Sequence, residues 1–125
     1  MTYQQARELH RLITLACLTP TFTSRYTLAR QVKDAAVSVM ANLAESFGRG
    51  YRGHLHHAIC IAKGSCAEVR SHVISAYDEG LLDESTFKTL HAQADRVESL
   101  LGGMRRAVAA NLSDHPTLPP KRDAD

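Results

Sequence analysis

The sequence predicts an all-α protein, an up-and-down antiparallel four-helix bundle. Four segments repeat apolar residues at intervals of three and four positions, the spacing that gathers side chains on one face of an α-helix. No segment shows the strict alternation that is typical of a β-strand. The connections between the segments are short, so consecutive helices are expected to run antiparallel around one core. A chain of 125 residues suits one such domain, which we place at residues 1–112.

The first predicted helix covers residues 2–18. Its inward face repeats small and branched apolar residues, namely Ala6, Leu9, Ile13 and Ala16. Thr19 and Pro20 end the helix, because the residue before a proline is disfavoured in helical conformation. Charged residues, Arg7 among them, occupy the outward face, so one face alone is expected to be buried.

The second predicted helix, residues 24–47, has a wide apolar surface. One stripe contains Leu28, Val32, Ala36, Val39, Leu43 and Phe47, and a second set contains Ala29, Val37, Met40 and Ala44. Together they cover about half of the helix circumference, more than the roughly 100° that a single core requires. The width predicts either a central helix in the bundle or a helix that another subunit partly covers.

The third and fourth predicted helices cover residues 54–79 and 84–111. Regular stripes run along both: Leu55, Ile59, Ala62, Cys66, Val69, Val73 and Ala76 in the third, and Phe87, Leu90, Ala94, Val97, Leu101, Met104 and Val108 in the fourth. Gly80 is typical of a residue that ends a helix, and Asp83 of one that caps the next. The short connection between them predicts an αα-hairpin.

Two further features concern the C-terminal part of the chain. Gly102 and Gly103 weaken the fourth helix by roughly 1 kcal/mol each, and their lack of side chains predicts that another backbone comes close. Residues 113–125 contain three prolines and show no periodicity. We therefore expect a disordered tail after the bundle.

Charge is distributed unevenly along the chain. Residues 1–63 contain eight Lys and Arg against three Asp and Glu, whereas residues 64–125 contain seven against ten, for a net charge of +2 overall. The imbalance predicts a basic face that attracts polyanions. The alternative is that basic and acidic segments pair within or between subunits.

Cysteine usage and hydropathy indicate a cellular compartment. Cys17, Cys60 and Cys66 lie in apolar helical segments without CxxC spacing, where free thiols behave as small hydrophobic groups. No uncharged apolar run approaches the length of a bilayer span, and none resembles an export signal. We expect a soluble cytoplasmic protein with no membrane partner.

Several motifs resemble a known family. The segments 31–39 (QVKDAAVSV), 42–45 (NLAE) and 47–49 (FGR) are similar to the signature helix of a bacterial four-helix-bundle family, which includes proteins encoded in intervening sequences of large-subunit ribosomal RNA genes. Residues 62–68 (AKGSCAE) resemble the family's Gly-Ser-x-x-Glu helix, and residues 81–84 (LLDE) resemble its turn between the third and fourth helices. The resemblance extends from about Glu8 to Val108.

This resemblance implies a left-handed four-helix bundle and, in relatives, a ring-shaped homopentamer. It also implies distant kinship to the accessory proteins of diversity-generating retroelements, which bind nucleic acid alongside a reverse transcriptase. It implies no established biochemical activity. The polar positions of the family signature correspond to Asn42, Glu45, Ser65 and Glu68. They are expected to cap a loop or contact a neighbouring subunit, or else to form an ordinary solvated face.

The densest basic patch follows the second helix. It consists of Arg49, Arg52, His54, His56, His57 and Lys63. Arg and Lys side chains neutralise phosphates, Tyr51 can stack on a base, and the neighbouring glycines allow a close backbone approach. These six residues are our candidates for nucleic-acid binding. The alternative is an ordinary turn between helices in which arginine confers solubility.

The sequence gives little support for an enzyme or a metal site. The adjacent histidines of the basic patch are ligand types that Zn or Ni prefers, but no Cys or carboxylate lies at a matching spacing. Glu45, Glu68 and His72 are similar to the carboxylate–histidine sets of ferritin-like bundles, yet the first and fourth segments supply no matching inward ligands. No Ser or Cys lies in a recognisable nucleophile motif. We therefore expect no catalytic residue, no bound metal and no cofactor.

Two functions are compatible with these features. The first is a non-enzymatic homo-oligomeric bundle, a pentamer by the resemblance, that binds RNA or DNA through its basic face. The second is a protein–protein scaffold or adaptor that does not bind nucleic acid. The wide apolar surface of the second helix favours this alternative.

Overall fold

The computed structural model describes the backbone of residues 1–49 and 52–114, and the side chains of residues 1–46 and 54–110. It contains five helices: α1 (Thr2–Cys17), α2 (Pro20–Thr23), α3 (Tyr26–Arg49), α4 (Arg52–Asp78) and α5 (Glu84–Asp114). These residues include no β-strand, so the predicted all-α helical bundle is confirmed. α5 continues past residue 111 to Asp114, and the rest of the predicted disordered tail lies outside the described residues.

Four long helices surround one core. α3 packs against α1 and α4, and α5 packs against the same two helices. α4 and α5 are antiparallel, because Lys63 lies beside Glu98 whereas the later residue Arg70 lies beside the earlier residue Asp95. The largest fully buried side chains include Leu9, Ile13, Leu43, Ile59 and Leu101. None of the described helices is long and apolar enough to cross a membrane.

A short helix that the sequence analysis does not predict lies between α1 and α3. Thr19 caps α2: its hydroxyl oxygen accepts a hydrogen bond from the Phe22 amide at 3.4 Å, and Pro20 occupies the first turn. Both features favour helix initiation. The Phe22 side chain is buried and joins the core. A single turn is too short to show apolar periodicity, which explains why the pattern reads as a connection.

The wide apolar surface predicted for the second helix divides into two parts in α3. Ala29 is buried, and Met40 is half-buried against the core. Val37 is 47% exposed, and Ala44 is also exposed. The bundle of a single chain therefore covers only part of this surface, and the second set of apolar residues extends onto the open side of α3.

Gly80 lies in the turn that ends α4, as the sequence predicts. Gly80 has a φ of 77°, a left-handed conformation. Its amide donates to Tyr77 O at 3.0 Å, and the Leu81 amide donates to Ala76 O at 2.9 Å. This pair of bonds is the Schellman arrangement that satisfies the last carbonyls of a helix. Asp83 then caps α5, because its carboxylate accepts from the Thr86 amide at 2.7 Å.

Replacing two glycines of α4 and its turn by alanine is expected to change stability in opposite directions. Gly80→Ala should lower the free energy of unfolding by about 1 kcal/mol, because a side chain disfavours the left-handed conformation. Gly64→Ala should raise it by about 1 kcal/mol, because Gly64 lies inside α4 and an added Cβ meets nothing within 4 Å. Urea unfolding at one protein concentration measures both changes. Two changes of the same sign would contradict the helix boundary at Gly80.

Candidate nucleic-acid interface

Five of the six residues of the predicted basic patch lie at the α3–α4 end of the bundle. Arg49 is the last residue of α3 and Arg52 is the first of α4, and their side chains lie outside the described part of the structure. The three histidines lie in the first two turns of α4, where His57 is exposed and the other two are half-buried. The backbone therefore brings five of the six candidates to one short stretch around the connection.

Lys63 does not belong to the same surface as the exposed histidine. It points towards α5, where its Nζ lies 3.6 Å from Glu98 Oε2. His57 instead lines the surface between α4 and α3. The separation follows from helix geometry, because six positions at 3.6 residues per turn rotate a side chain by about 240°. The structure thus divides the predicted patch between two faces of α4.

A small depression lies between α3 and α4 beside the histidines. Its walls are formed by Asn42, Glu45, His54, His57, Ala58 and Ile61. Its volume of about 40 Å³ can hold water but is far below that of a small-molecule site. A base or nucleotide therefore cannot enter it, and any nucleic-acid contact here is made with the surface.

Polar signature residues join α3 to α4 above this depression. Ser38 Oγ and Ser65 Oγ are 2.8 Å apart and form a hydrogen bond between the two helices. Asn42 Nδ2 donates to Ser38 O at 2.9 Å and to Ser38 Oγ at 3.2 Å. The polar side chains of Ser38, Asn42 and Ser65 therefore have hydrogen-bond partners within the chain, and the bond between Ser38 and Ser65 fixes the register of α3 against α4.

The remaining signature carboxylate on α4 lies one turn from a histidine. Glu68 Oε2 is 3.5 Å from His72 Nε2, and this ring nitrogen is buried with no hydrogen-bond partner among the described residues. Glu68 itself is exposed, so the pair forms a local i,i+4 contact on one helix. The ferritin-like set considered above is not assembled, because within the described residues no three His, Cys, Asp or Glu side chains converge to hold a metal.

His56 contacts a thiol on the same helix. Its Nδ1 lies 3.9 Å from Cys60 Sγ, one turn further along α4. Two such ligands alone do not make a metal site, because structural zinc sites use four. The cysteines are all free thiols, and Cys17 and Cys66 are buried.

Charged side chains between α4 and α5 form a second polar surface. Arg70 Nη1 lies 2.9 Å from Asp95 Oδ1 and 3.1 Å from Glu98 Oε1. The sequence analysis does not predict this set, because periodicity gives the rotation of each helix but not the register between two helices. Arg105 and Arg106 of α5 extend the same surface.

Comparison with known proteins agrees with this fold. The family profile of the 23S rRNA-intervening sequence protein matches residues 1–103. The fold is similar to the crystal structure of a protein with unknown function from the S23 ribosomal protein family of Bacteroides thetaiotaomicron. The two share 13% sequence identity and a TM-score of 0.78, covering 84% of this chain and 98% of the other. No curated protein matches the sequence.

Proposed function

The chain belongs to the 23S rRNA-intervening sequence protein family, and we propose that it is a non-enzymatic, self-associating helical bundle that binds RNA or DNA through a basic end. The basic end consists of the last turn of α3, the first two turns of α4 and the part of α5 beside them. The observation that carries the proposal is that the backbone groups basic and histidine residues there: Arg49, Arg52, His54, His56, His57, Arg105 and Arg106.

The antiparallel pairing of α4 and α5 supports this grouping. Lys63 lies beside Glu98 and close to Gly102, so the residues of α5 after Gly102 are level with the residues of α4 before Lys63. Two arginines of α5 and three histidines of α4 are thus at the same height along the bundle. Cationic side chains at such a surface attract phosphates without reading sequence. The family description names 23S rRNA, which makes ribosomal RNA the first polyanion to test.

Self-association is supported by apolar side chains that the single chain leaves open. Leu18 and Tyr26 are 69% and 68% exposed at the end of the bundle opposite the basic end. Val37, Ile61 and Ile74 are exposed along its sides. Open apolar surface of this kind favours contact with a further protein surface. The resemblance makes a pentamer the expected assembly, and the three free thiols favour a reducing compartment such as the cytoplasm.

A titration of structured RNA and duplex DNA tests the nucleic-acid function. The wild-type protein should bind both, with an affinity that falls steeply between about 50 mM and about 200 mM salt because bound counterions are released. The double variant Arg49→Ala/Arg52→Ala should weaken binding about tenfold or more at the lower salt concentration. It should also reduce the slope of log affinity against log salt by about 0.7 to 0.9 for each lost phosphate contact.

The matched control is Arg25→Ala/Arg30→Ala at the opposite end of the bundle. Arg25 pairs with Glu79, and Arg30 lies 3.8 Å from Asp34, so this variant removes the same charge from the N-terminal part of the chain. It should bind nucleic acid within about threefold of wild type, because it changes only the long-range, salt-screened field. Equal weakening by both variants, or no binding at low salt, would overturn the nucleic-acid function.

Light scattering tests self-association separately. A pentamer gives a mass of five times 13.7 kDa, and a single chain gives 13.7 kDa. A single-chain mass at the concentrations of the binding assay would exclude the ring but leave the basic end to be judged by the titration. The two parts of the proposal therefore succeed or fail independently.

An adaptor function is the second candidate, and a groove with several leucines in its walls favours it. The groove has a volume of about 620 Å³ and lies between the end of α1 and the start of α5, with Leu12, Leu15, Leu81, Leu82 and Leu90 in its walls. Leu15 is 50% exposed there. If nucleic acid fails to bind at low salt, this groove is the surface on which to seek a protein partner, with Leu15→Asp as the variant expected to abolish the contact.

A further inference from the structure

A charged cleft of about 480 Å³ lies between α4 and α5, and we propose that it binds a phosphate group through the guanidinium groups of Arg105 and Arg106, with Lys63 beside them. Throughout, the α4–α5 cleft means the surface formed by Lys63, Arg70, Asp95, Glu98, Arg105 and Arg106. Its volume is within the range of small-molecule sites. It adjoins the basic end of the proposed function and shares Arg105 and Arg106 with it, whereas Arg49 and Arg52 lie at the α3–α4 connection.

Both carboxylates of the α4–α5 cleft are already engaged by cations at its inner end. Arg70 Nη1 lies 2.9 Å from Asp95 Oδ1 and 3.1 Å from Glu98 Oε1. Lys63 Nζ adds a contact of 3.6 Å to Glu98 Oε2. His91 Nδ1 lies 3.5 Å from Asp95 Oδ2 on the other side. The negative charge of the cleft is therefore compensated before Arg105 and Arg106 are counted.

Arg105 and Arg106 supply the positive charge that remains. Neither makes an ion pair within the part of the chain that the structure describes. Four cations face two carboxylates in the α4–α5 cleft, which leaves a net charge of +2. Two neighbouring cations without a counter-charge raise the local potential, and an anion bound between them lowers it. The chemistry of the cleft thus selects an anion.

Gly102 lies beneath the side chains of Arg106 and Lys63 at the base of the α4–α5 cleft. A Cβ at this position would lie 3.4 Å from Arg106 Nη1 and 3.8 Å from Lys63 Cε. The Arg106 guanidinium therefore folds back over the α5 backbone towards the stem of Lys63. The absence of a side chain predicted that another backbone approaches this glycine. Two cationic side chains lie there instead, so the glycine leaves space for Arg106 and Lys63 and not for a neighbouring helix.

A phosphate group fits this arrangement better than a carboxylate does. A guanidinium group donates two parallel hydrogen bonds to phosphate oxygens. A phosphate has enough oxygens to accept this pair from one arginine and also to contact the ammonium group of a lysine. A phosphate dianion also compensates the net charge of the cleft. The phosphate can belong to a free phosphorylated compound or to an RNA backbone, and only the second source rests on the proposed function.

The test uses the full chain with pyrophosphate and inorganic phosphate as probes. Chemical shifts of the backbone amides from Asp95 to Arg106 should move saturably as pyrophosphate is added. Arg105→Ala/Arg106→Ala should raise the dissociation constant about tenfold or more, the loss expected when charge-assisted hydrogen bonds are removed. Lys88→Ala/Arg96→Ala is the matched control, because it removes two cations from α5 outside the cleft. It should leave the dissociation constant within about twofold of wild type.

The two sources of phosphate are separated by titrating RNA with the same variants. Loss of both pyrophosphate and RNA binding in Arg105→Ala/Arg106→Ala assigns the α4–α5 cleft to an RNA backbone. Loss of pyrophosphate binding alone assigns it to free phosphorylated compounds. Amide shifts that do not saturate, or that are equal in the variant and the control, overturn the proposal. The proposed RNA binding by the basic end is tested separately: it is wrong if the Arg49→Ala/Arg52→Ala protein binds RNA as tightly as wild type does.

A pair of glycine substitutions provides a test that does not remove charge. Gly102→Ala and Gly103→Ala should both stabilise α5, but only Gly102→Ala fills the space between Arg106 and Lys63. An added Cβ makes ordinary van der Waals contact at both positions, but at Gly102 it meets both Arg106 and Lys63, whereas at Gly103 it meets only Arg106 Nη2, at 4.0 Å. Pyrophosphate binding should therefore weaken in Gly102→Ala and remain in Gly103→Ala. Equal binding by the two proteins would contradict the placement of the phosphate over Gly102.

Discussion

Truncation of Leu101 to alanine is expected to lower the free energy of unfolding by about 3 kcal/mol. The Leu101 side chain has 0% exposure and lies on α5 in the continuous core that all four long helices share. Removal of a buried leucine loses its transfer free energy and leaves a cavity that rigid helices fill only partly, for a total of about 2–5 kcal/mol. Such a loss is a large share of the stability of a small domain.

Arg96→Ala is the control for this experiment. Arg96 is exposed on the same helix, so its truncation should change the free energy of unfolding by no more than about 0.5 kcal/mol. Urea unfolding followed by far-UV circular dichroism measures both, at a single protein concentration because self-association would add to the apparent stability. A loss below about 1 kcal/mol for Leu101→Ala would show that α5 does not pack through this face.

The stripe that contains Leu101 shows how far periodicity predicts burial. Ala94, Val97 and Leu101, in the middle of the stripe, are all fully buried. Phe87 and Met104 are only half-buried, although Val108 beyond Met104 is buried. Apolar spacing indicates which face of a helix is turned inward, and that much was predictable from the sequence. It does not indicate how completely the neighbouring helices cover each position of that face.

The candidate site was less predictable than the fold, because it depends on how each helix is rotated and on the register between neighbouring helices. Proximity along the chain grouped Lys63 with His57, but the rotation of α4 places Lys63 beside Glu98 on the opposite side. That separation could have been derived from the helical repeat alone. The partnership of Arg70 with Asp95 could not, because it depends on the register of α4 against α5, which brings together two residues 25 positions apart in sequence.

The resemblance and the residue pattern contribute different information about α3. The signature positions Asn42 and Ser65 form a hydrogen-bonded network with Ser38 between α3 and α4, which explains their residue types by a contact within one chain. The exposed Val37 and Ala44 lie on the other side of α3, where the single bundle offers no cover. The polar signature residues therefore join α3 to α4 within one chain, and the open apolar side is the feature that self-association or a partner protein has to explain.

Alkaline pH is expected to destabilise the protein through Cys66. Its side chain has 0% exposure, and its Sγ donates a hydrogen bond to Ala94 O at 3.4 Å. Burial, with a smaller contribution from the charge of Glu98, raises the pKa of the Cys66 thiol from 9.0 to about 12. Burial also raises the pKa of Cys17. Both thiols are therefore held protonated in the folded protein at a pH where the unfolded chain has already lost the protons.

The sign of the effect follows from proton release on unfolding. Below a pH of 9.0 both states bind the proton and the thiol adds no pH dependence; between 9.0 and about 12 only the folded state keeps it, so stability falls as the pH rises. Cys66 contributes up to about 1.4 kcal/mol per pH unit in that range, and Cys17, whose pKa is also raised by burial, acts in the same direction. Urea unfolding from about pH 8 to about pH 10.5 under reducing conditions should show a shallower decline for Cys66→Ala than for wild type. Cys60→Ala, which keeps both buried thiols, should decline as wild type does, and identical slopes for all three proteins would show that Cys66 is not buried as a protonated thiol.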